Sequence, residues 1–181
     1  MMKTKISLLK SVTVLCGALL PFLFYTCSKD EPKQYPTCWD NIKNQNETGV
    51  DCGGICPFTC PSKMTAKING VQWTADTTNI DVSYTSASKT LSITGRTANT
   101  FYPTITLVYV GNLTPGTYAL NASTTYAKDI SSFVTFDSGT ITFNTIDTHD
   151  RLLNGSFAFT CHDSGGTIYT ISEGIFEDLE Y

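Results

Sequence analysis

The sequence contains no Gly-x-Ser-x-Gly, no phosphate-binding glycine loop and no His-Glu-x-x-His. It therefore lacks the signatures of a hydrolase nucleophile elbow, a nucleotide cradle and a zinc protease. Only two histidines are present in 181 residues. Long Ala/Leu/Glu/Lys runs are missing, which removes the material of long helices and leaves a Thr-, Ser-, Gly-, Tyr- and Phe-rich chain suited to strands. An excess of positive charge is missing too. Lys and Arg number 12 against 16 Asp and Glu, for a net charge of -4. An acidic body repels phosphate backbones, so nucleic acid is not an expected partner. The N-terminal apolar run, residues 11–25, is interrupted by Pro21. It is shorter than the roughly 20 apolar residues of a membrane span.

That run follows a basic segment with Lys3, Lys5 and Lys10, the anatomy of a secretory signal peptide. Residues 1–26 are read as the signal peptide and Cys27 as the first residue of the mature chain. Removing those three lysines changes the net charge from -4 to -7. Such a body needs a covalent link to stay on an anionic membrane. Phe24-Tyr25-Thr26-Cys27 resembles a bacterial lipobox, with Phe24 where Leu is usual and Thr26 where a small residue is usual. The resemblance implies acylation of the Cys27 thiol. Ser28-Lys29-Asp30-Glu31 resembles the export signal of Bacteroidota lipoproteins. That implies an outer-membrane address facing the cell exterior. Cys16, within the apolar run, is the rival lipidation site.

Residues 27–37 are polar and contain Pro32 and Pro36, a linker. Its ten residues after Cys27 span at most about 33 Å. Residues 38–61 then carry Cys38, Cys52, Cys56 and Cys60. A stretch this small cannot bury a core of its own, so in an exported chain two disulfides are expected, with three pairings open. Structural zinc is the competing use of four cysteines. Asp40, Asn44, Glu47 and Asp51 offer hard oxygen ligands, so calcium is a candidate cofactor, although the spacing is not that of an EF-hand. The alternative is that these side chains cap turns through their own backbone. Trp39, Ile42 and Val50 are expected to pack the module. Asp40, Ile42, Asn44, Glu47-Thr48 and Val50-Asp51-Cys52-Gly53-Gly54 resemble a Cys-rich module of secreted Bacteroidota proteins.

From residue 62 to 181 the pattern alternates. Asn69-Gly70 signals a tight hairpin, with Ala66 and Ile68 before it and Val71, Trp73 and Ala75 sharing a face after it. Ile80, Val82 and Tyr84 alternate, as do Leu91 and Ile93. In residues 104–110 both faces are apolar, which predicts a strand central to a packed sheet. Gly155, Phe157, Phe159 and Cys161 share a face, and Asp163-Ser164-Gly165-Gly166 reads as a hairpin loop. Residues 126–132 are allowed one helical turn at most. The expected fold is all-β, an antiparallel sandwich or open barrel of about nine or ten strands, preceded by the small disulfide module. Ile68-Asn69-Gly70, Trp73-Thr74-Ala75, Pro115-Gly116-Thr117-Tyr118, residues 138–142 and Asn154-Gly155-Ser156-Phe157 together resemble a β-rich Bacteroidota lipoprotein family of unknown function. The resemblance implies a fold and an address, and no activity.

Candidate chemistry is sparse. Cys161 and His162 are adjacent on a strand and point to opposite faces, so they do not form a nucleophile–base pair. Asp147, His149, Asp150, His162 and Asp163 are candidate surface metal ligands. Glu173, Glu177, Asp178 and Glu180 form a terminal acidic run, expected at a solvated sheet edge. Tyr102, Tyr109, Tyr126 and Tyr169 are candidate sugar-stacking rings if exposed. The expected function is therefore non-enzymatic: a lipid-anchored surface protein presenting a β-sandwich to a glycan or an envelope or host protein. The ligand-binding residues are unassigned. A β-barrel carrier of a small apolar ligand and a purely structural envelope component are the alternatives.

Overall fold

A computed structural model describes residues 38–44, 46–47, 49–98, 102–132 and 134–181. The expected signal peptide, Cys27 and the linker lie outside the described residues. Cys38–Tyr181 forms one compact unit. Among the described residues there are ten strands and no α-helix. The strands are β1 (Lys63–Ile68), β2 (Val71–Thr74), β3 (Ile80–Thr85), β4 (Thr90–Arg96), β5 (Thr104–Val110), β6 (Gly116–Ala119), β7 (Thr125–Ala127), β8 (Val134–Asp147), β9 (Leu152–Asp163) and β10 (Ile168–Glu180). They form two antiparallel sheets, in the orders β2-β1-β10-β9-β8-β6 and β3-β4-β5-β7.

Alternation explains most of these strands. In β4 and β5 every second side chain is buried, placing Leu91, Ile93, Ile105, Leu107 and Tyr109 between the sheets. β5 is central, between β4 and β7, as its apolar density predicts. Its second face is nevertheless open, with Val110 exposed. The β1–β2 hairpin turns at Asn69 and Gly70, both at positive φ, with Ile68 opposite Val71. Trp73 and Ala75 enter the core as expected, but Val71 does not. It sits at the hairpin end and is 71% exposed. Tyr126 lies in a strand rather than a helical turn. Pairing of Ile105 with Tyr126 recruits it to the sheet, and its buried ring packs on Tyr169 at 5.2 Å.

The long strands β8, β9 and β10 hold the molecule together. β8 shifts register between Phe136 and Ser138 and again between Phe143 and Thr145. β10 shifts between Ile171 and Gly174 and between Phe176 and Leu179. Each shift is a bulge that inserts a residue and reverses which parity faces inward. Glu173 and Asp178, at positive φ, occupy the two bulged stretches of β10. These bulges let Ile171, Phe176 and Leu179 all reach the interior. β4 carries Gly95 where it faces Met64, Trp73 and Ala75. A Cβ there would stand 2.7 Å from Met64 Sδ and 2.9 Å from the Trp73 ring, so a larger residue would have to displace them.

Candidate functional site

The four module cysteines are paired Cys38–Cys56 and Cys52–Cys60. Around them the chain turns tightly. Gly54 sits at positive φ, and a Cβ there would stand 1.7 Å from the Asn46 carbonyl oxygen. The polar residues close the turns. The Asp51 carboxylate accepts the backbone N–H of Asp40 at 3.0 Å and of Asn41 at 2.9 Å. Asp40 accepts the Ile42 N–H at 2.9 Å and the Asn44 side-chain amide at 2.8 Å. Glu47 Oε2 accepts the Asn44 N–H at 3.1 Å. Each of the three carboxylates is thus occupied by donors of its own module. The Asn44 Oδ1 atom is buried without a partner. Cys38, Glu47 and Cys56 place a carboxylate and two sulfurs within 4.8 Å of one another. The two sulfurs are joined to each other, so this trio offers no thiolate to a metal.

The module's apolar residues are not its core. Trp39 is 75% exposed, Ile42 60% and Val50 54%, contrary to the packing role their side chains predict. Disulfides and carboxylate-capped turns replace burial in a segment this small, which leaves the apolar side chains outside. Ile55 and Phe58 are exposed as well, and the Phe58 ring stands edge-on to Trp39 at 5.0 Å.

Between the module and the sandwich lies an open cleft of about 590 Å³. Gly53 and Phe58 line one side, and Asp147, Asp150, Asp178 and Glu180 bring carboxylates to the other. These acids are held differently. Backbone N–H groups of Asp150 and His149 donate to Asp147 and keep its carboxyl below the ordinary range. Desolvation, with Glu177 nearby, raises Asp178. The terminal acidic run does not lie at an edge, because β10 sits between β1 and β9. Glu177 pairs with Lys63 at 3.0 Å and Glu173 with Lys67 at 2.7 Å across the β1–β10 ladder. Lysines on the neighbouring strand make an acidic internal strand tolerable, a relation visible only in the register.

The histidine candidates are not brought together. His149 lies in the β8–β9 turn, whereas His162 is near the far end of β9. The strand between them extends about 35 Å. His162 Nδ1 instead meets Asp137 Oδ1 at 2.6 Å, a partner that no sequence spacing marks. The Phe136/Ser138 bulge displaces Asp137 to reach it. Asp163 accepts the N–H of Thr167 and of Gly165, both at 2.9 Å, closing the β9–β10 turn. Those bonds, the Thr167 N–H first, lower its carboxyl. Cys161 is fully buried beside Phe159 and the Tyr169 backbone. Burial, reinforced by the Asp137 charge, pushes its thiol up to about 11. The tyrosines are equally committed. Tyr109 and Tyr126 are buried, Tyr109 donates to the Asn112 carbonyl at 3.0 Å, and Tyr102 and Tyr169 are half-buried.

What the sheets turn outward is mostly hydroxyl. Thr94 and Thr106 oxygens meet at 3.1 Å across β4 and β5, and Thr117 and Thr142 at 2.9 Å across β6 and β8. On the larger sheet a shallow depression of about 430 Å³ is lined by Ser138, Thr140, Ala158, Thr160, Thr170 and Ser172. Its polar groups both donate and accept, and it carries no ionisable side chain. The chain matches no family model, no curated protein and no solved structure.

Proposed function

We propose that the protein is a non-enzymatic, lipid-anchored outer-membrane protein that faces the cell exterior and presents its sandwich for binding. The observation that carries this reading is the run from an apolar segment through Cys27 into a module with two disulfides. Disulfides belong to oxidising compartments, and in the lipobox that Phe24-Tyr25-Thr26-Cys27 resembles the cysteine is the attachment point for lipid. The binding element in this reading is the hydroxyl face of the six-stranded sheet around Thr140 and Thr160. Its partner is a glycan or an envelope or host protein, recognised by hydrogen bonding more than by charge.

Expression in a Bacteroidota host with an alkyne fatty acid tests the anchor. Wild-type protein takes the label, stays with the outer membrane and is removed by external protease. The Cys27→Ala protein is unlabelled and leaves the membrane. Retention of Cys27→Ala on the membrane overturns the anchor. The released protein is then screened on a glycan array and against purified envelope proteins. Thr140→Lys with Thr160→Lys abolishes the recovered binding, and unchanged binding moves the site elsewhere.

A further inference from the structure

We infer that the disulfide module lies on the bilayer as a hydrophobic foot, rather than standing clear of it as a spacer. The inference rests on the Cys27 anchor of the proposed function. Its own observation is the distribution of exposed apolar residues. Five of the nine large hydrophobic side chains exposed among the described residues fall in Cys38–Cys60: Trp39, Ile42, Val50, Ile55 and Phe58. The sandwich, several times longer, supplies the other four.

The module's bonding brings these residues to adjoining turns. Capping of the Asp40 and Asn41 N–H groups by Asp51 ties the turn before Ile42 to the turn that follows Val50. The Cys38–Cys56 disulfide links the residues next to Trp39 and Ile55, and the Trp39 ring stands edge-on to Phe58 at 5.0 Å. Asp40, Glu47 and Asp51 direct oxygens to donors inside the module.

Membrane is the occupant these facts favour. Ten residues separate Cys27 from Cys38, so Cys38, at the start of the module, can lie no more than about 40 Å from the anchored residue. Trp with a ring N–H is the residue of the bilayer interface, and Ile and Val are suited to the acyl boundary below it. A sugar site needs polar groups framing an aromatic face, and three of these five side chains are aliphatic.

The chain has two tryptophans, and the second, Trp73, is buried in the core. Tryptophan quenching therefore reports on the module. The chain from Cys27 retains the whole compact unit Cys38–Tyr181. Its module cysteines are disulfide-bonded and Cys161 is buried, so Cys27 is the thiol open to coupling. Coupled through Cys27 to a maleimide lipid in phosphatidylcholine vesicles with brominated acyl chains, the protein is expected to lose about half its tryptophan emission. Trp39→Phe removes the quenching, and Ile42→Ser with Ile55→Ser reduces it at least twofold. Unquenched emission from coupled protein overturns the foot. So does a Trp39 blue shift that depends on protein concentration instead of on lipid, which marks a second copy on the patch. Chemical coupling makes the result independent of acylation in cells. Loss of the anchor is read in the fractionation of Cys27→Ala and loss of the foot in the vesicles.

Discussion

Glu47 lies against Cys56, its Oε1 atom 3.2 Å from a sulfur that carries no proton because it is bonded to Cys38. The side chain is 7% exposed, and its second oxygen accepts the Asn44 N–H. One carboxylate thus joins the 44–47 turn to the Cys38–Cys56 bridge. Glu47→Ala leaves the Asn44 N–H without its acceptor and a void at the disulfide. The expected cost to the module is about 1–3 kcal/mol. Cys38 and Cys56 should then be alkylated earlier than in wild type during mild reduction, as read by mass spectrometry. Equal rates would show that Glu47 does not secure the turn.

Gly155 faces Phe176 across the β9–β10 pair. A Cβ at 155 would stand 2.1 Å from the Thr142 carbonyl oxygen and 2.4 Å from the Phe176 ring. Phe176 in turn packs on Phe143 and Phe157, with ring centroids 6.2 and 6.5 Å away, so the displaced ring has nowhere to go. Gly155→Ala is expected to destabilise by about 1–3 kcal/mol or more. The urea midpoint should fall with an unchanged slope. A midpoint within error of wild type would mean that β9 and β10 can separate there.

The Cys161 thiol titrates at about 11 in the fold against an ordinary 9.0. Its folded pKa is raised, so the unfolded chain releases the proton first. The corresponding stability is fully present below pH 9 and is lost as pH rises through 11. Cys161→Ser or Cys161→Ala should flatten the alkaline fall in urea stability by on the order of 2 kcal/mol. Below that window native protein should resist alkylation at Cys161 until it unfolds. Rapid labelling of the native protein would contradict the burial.

Lys67 and Glu173 form an exposed pair on the β1–β10 ladder. Solvent screens such a bridge, so Lys67→Ala should change stability by less than about 1 kcal/mol. Comparison with Gly155→Ala in one urea series separates a surface pair from a core contact.

Calcium is expected to leave the module unchanged, because the Asp40, Glu47 and Asp51 carboxylates are already engaged by N–H donors. Thermal unfolding in millimolar calcium and in chelator should coincide. A rise of several degrees with calcium, lost in Asn44→Ala, would show that a cation displaces those donors and uses the buried Asn44 Oδ1.

Much of the architecture is legible in local pattern. Asn69-Gly70, Asp163-Ser164-Gly165-Gly166 and the alternation in β4, β5 and β9 specify turns and faces because a strand has a period of two and few residues accept positive φ. Four cysteines in a coreless stretch specify disulfides, while their pairing needs the fold of the turns around Asp51 and Glu47. The bulged strands are the least legible. Each bulge in β8 and β10 reverses parity, so periodicity fails where Phe136, Asp137, Glu173 and Asp178 take their places. Contacts between distant strands are equally silent in the sequence: His162 with Asp137, Lys63 with Glu177, and Tyr126 with β5. Trp39, Ile42 and Val50 show the limit in the other direction. Their side chains state a preference for burial, but only the tertiary structure decides whether there is an interior to receive them. In a module closed by disulfides and capped carboxylates there is not, so that apolar surface faces outward.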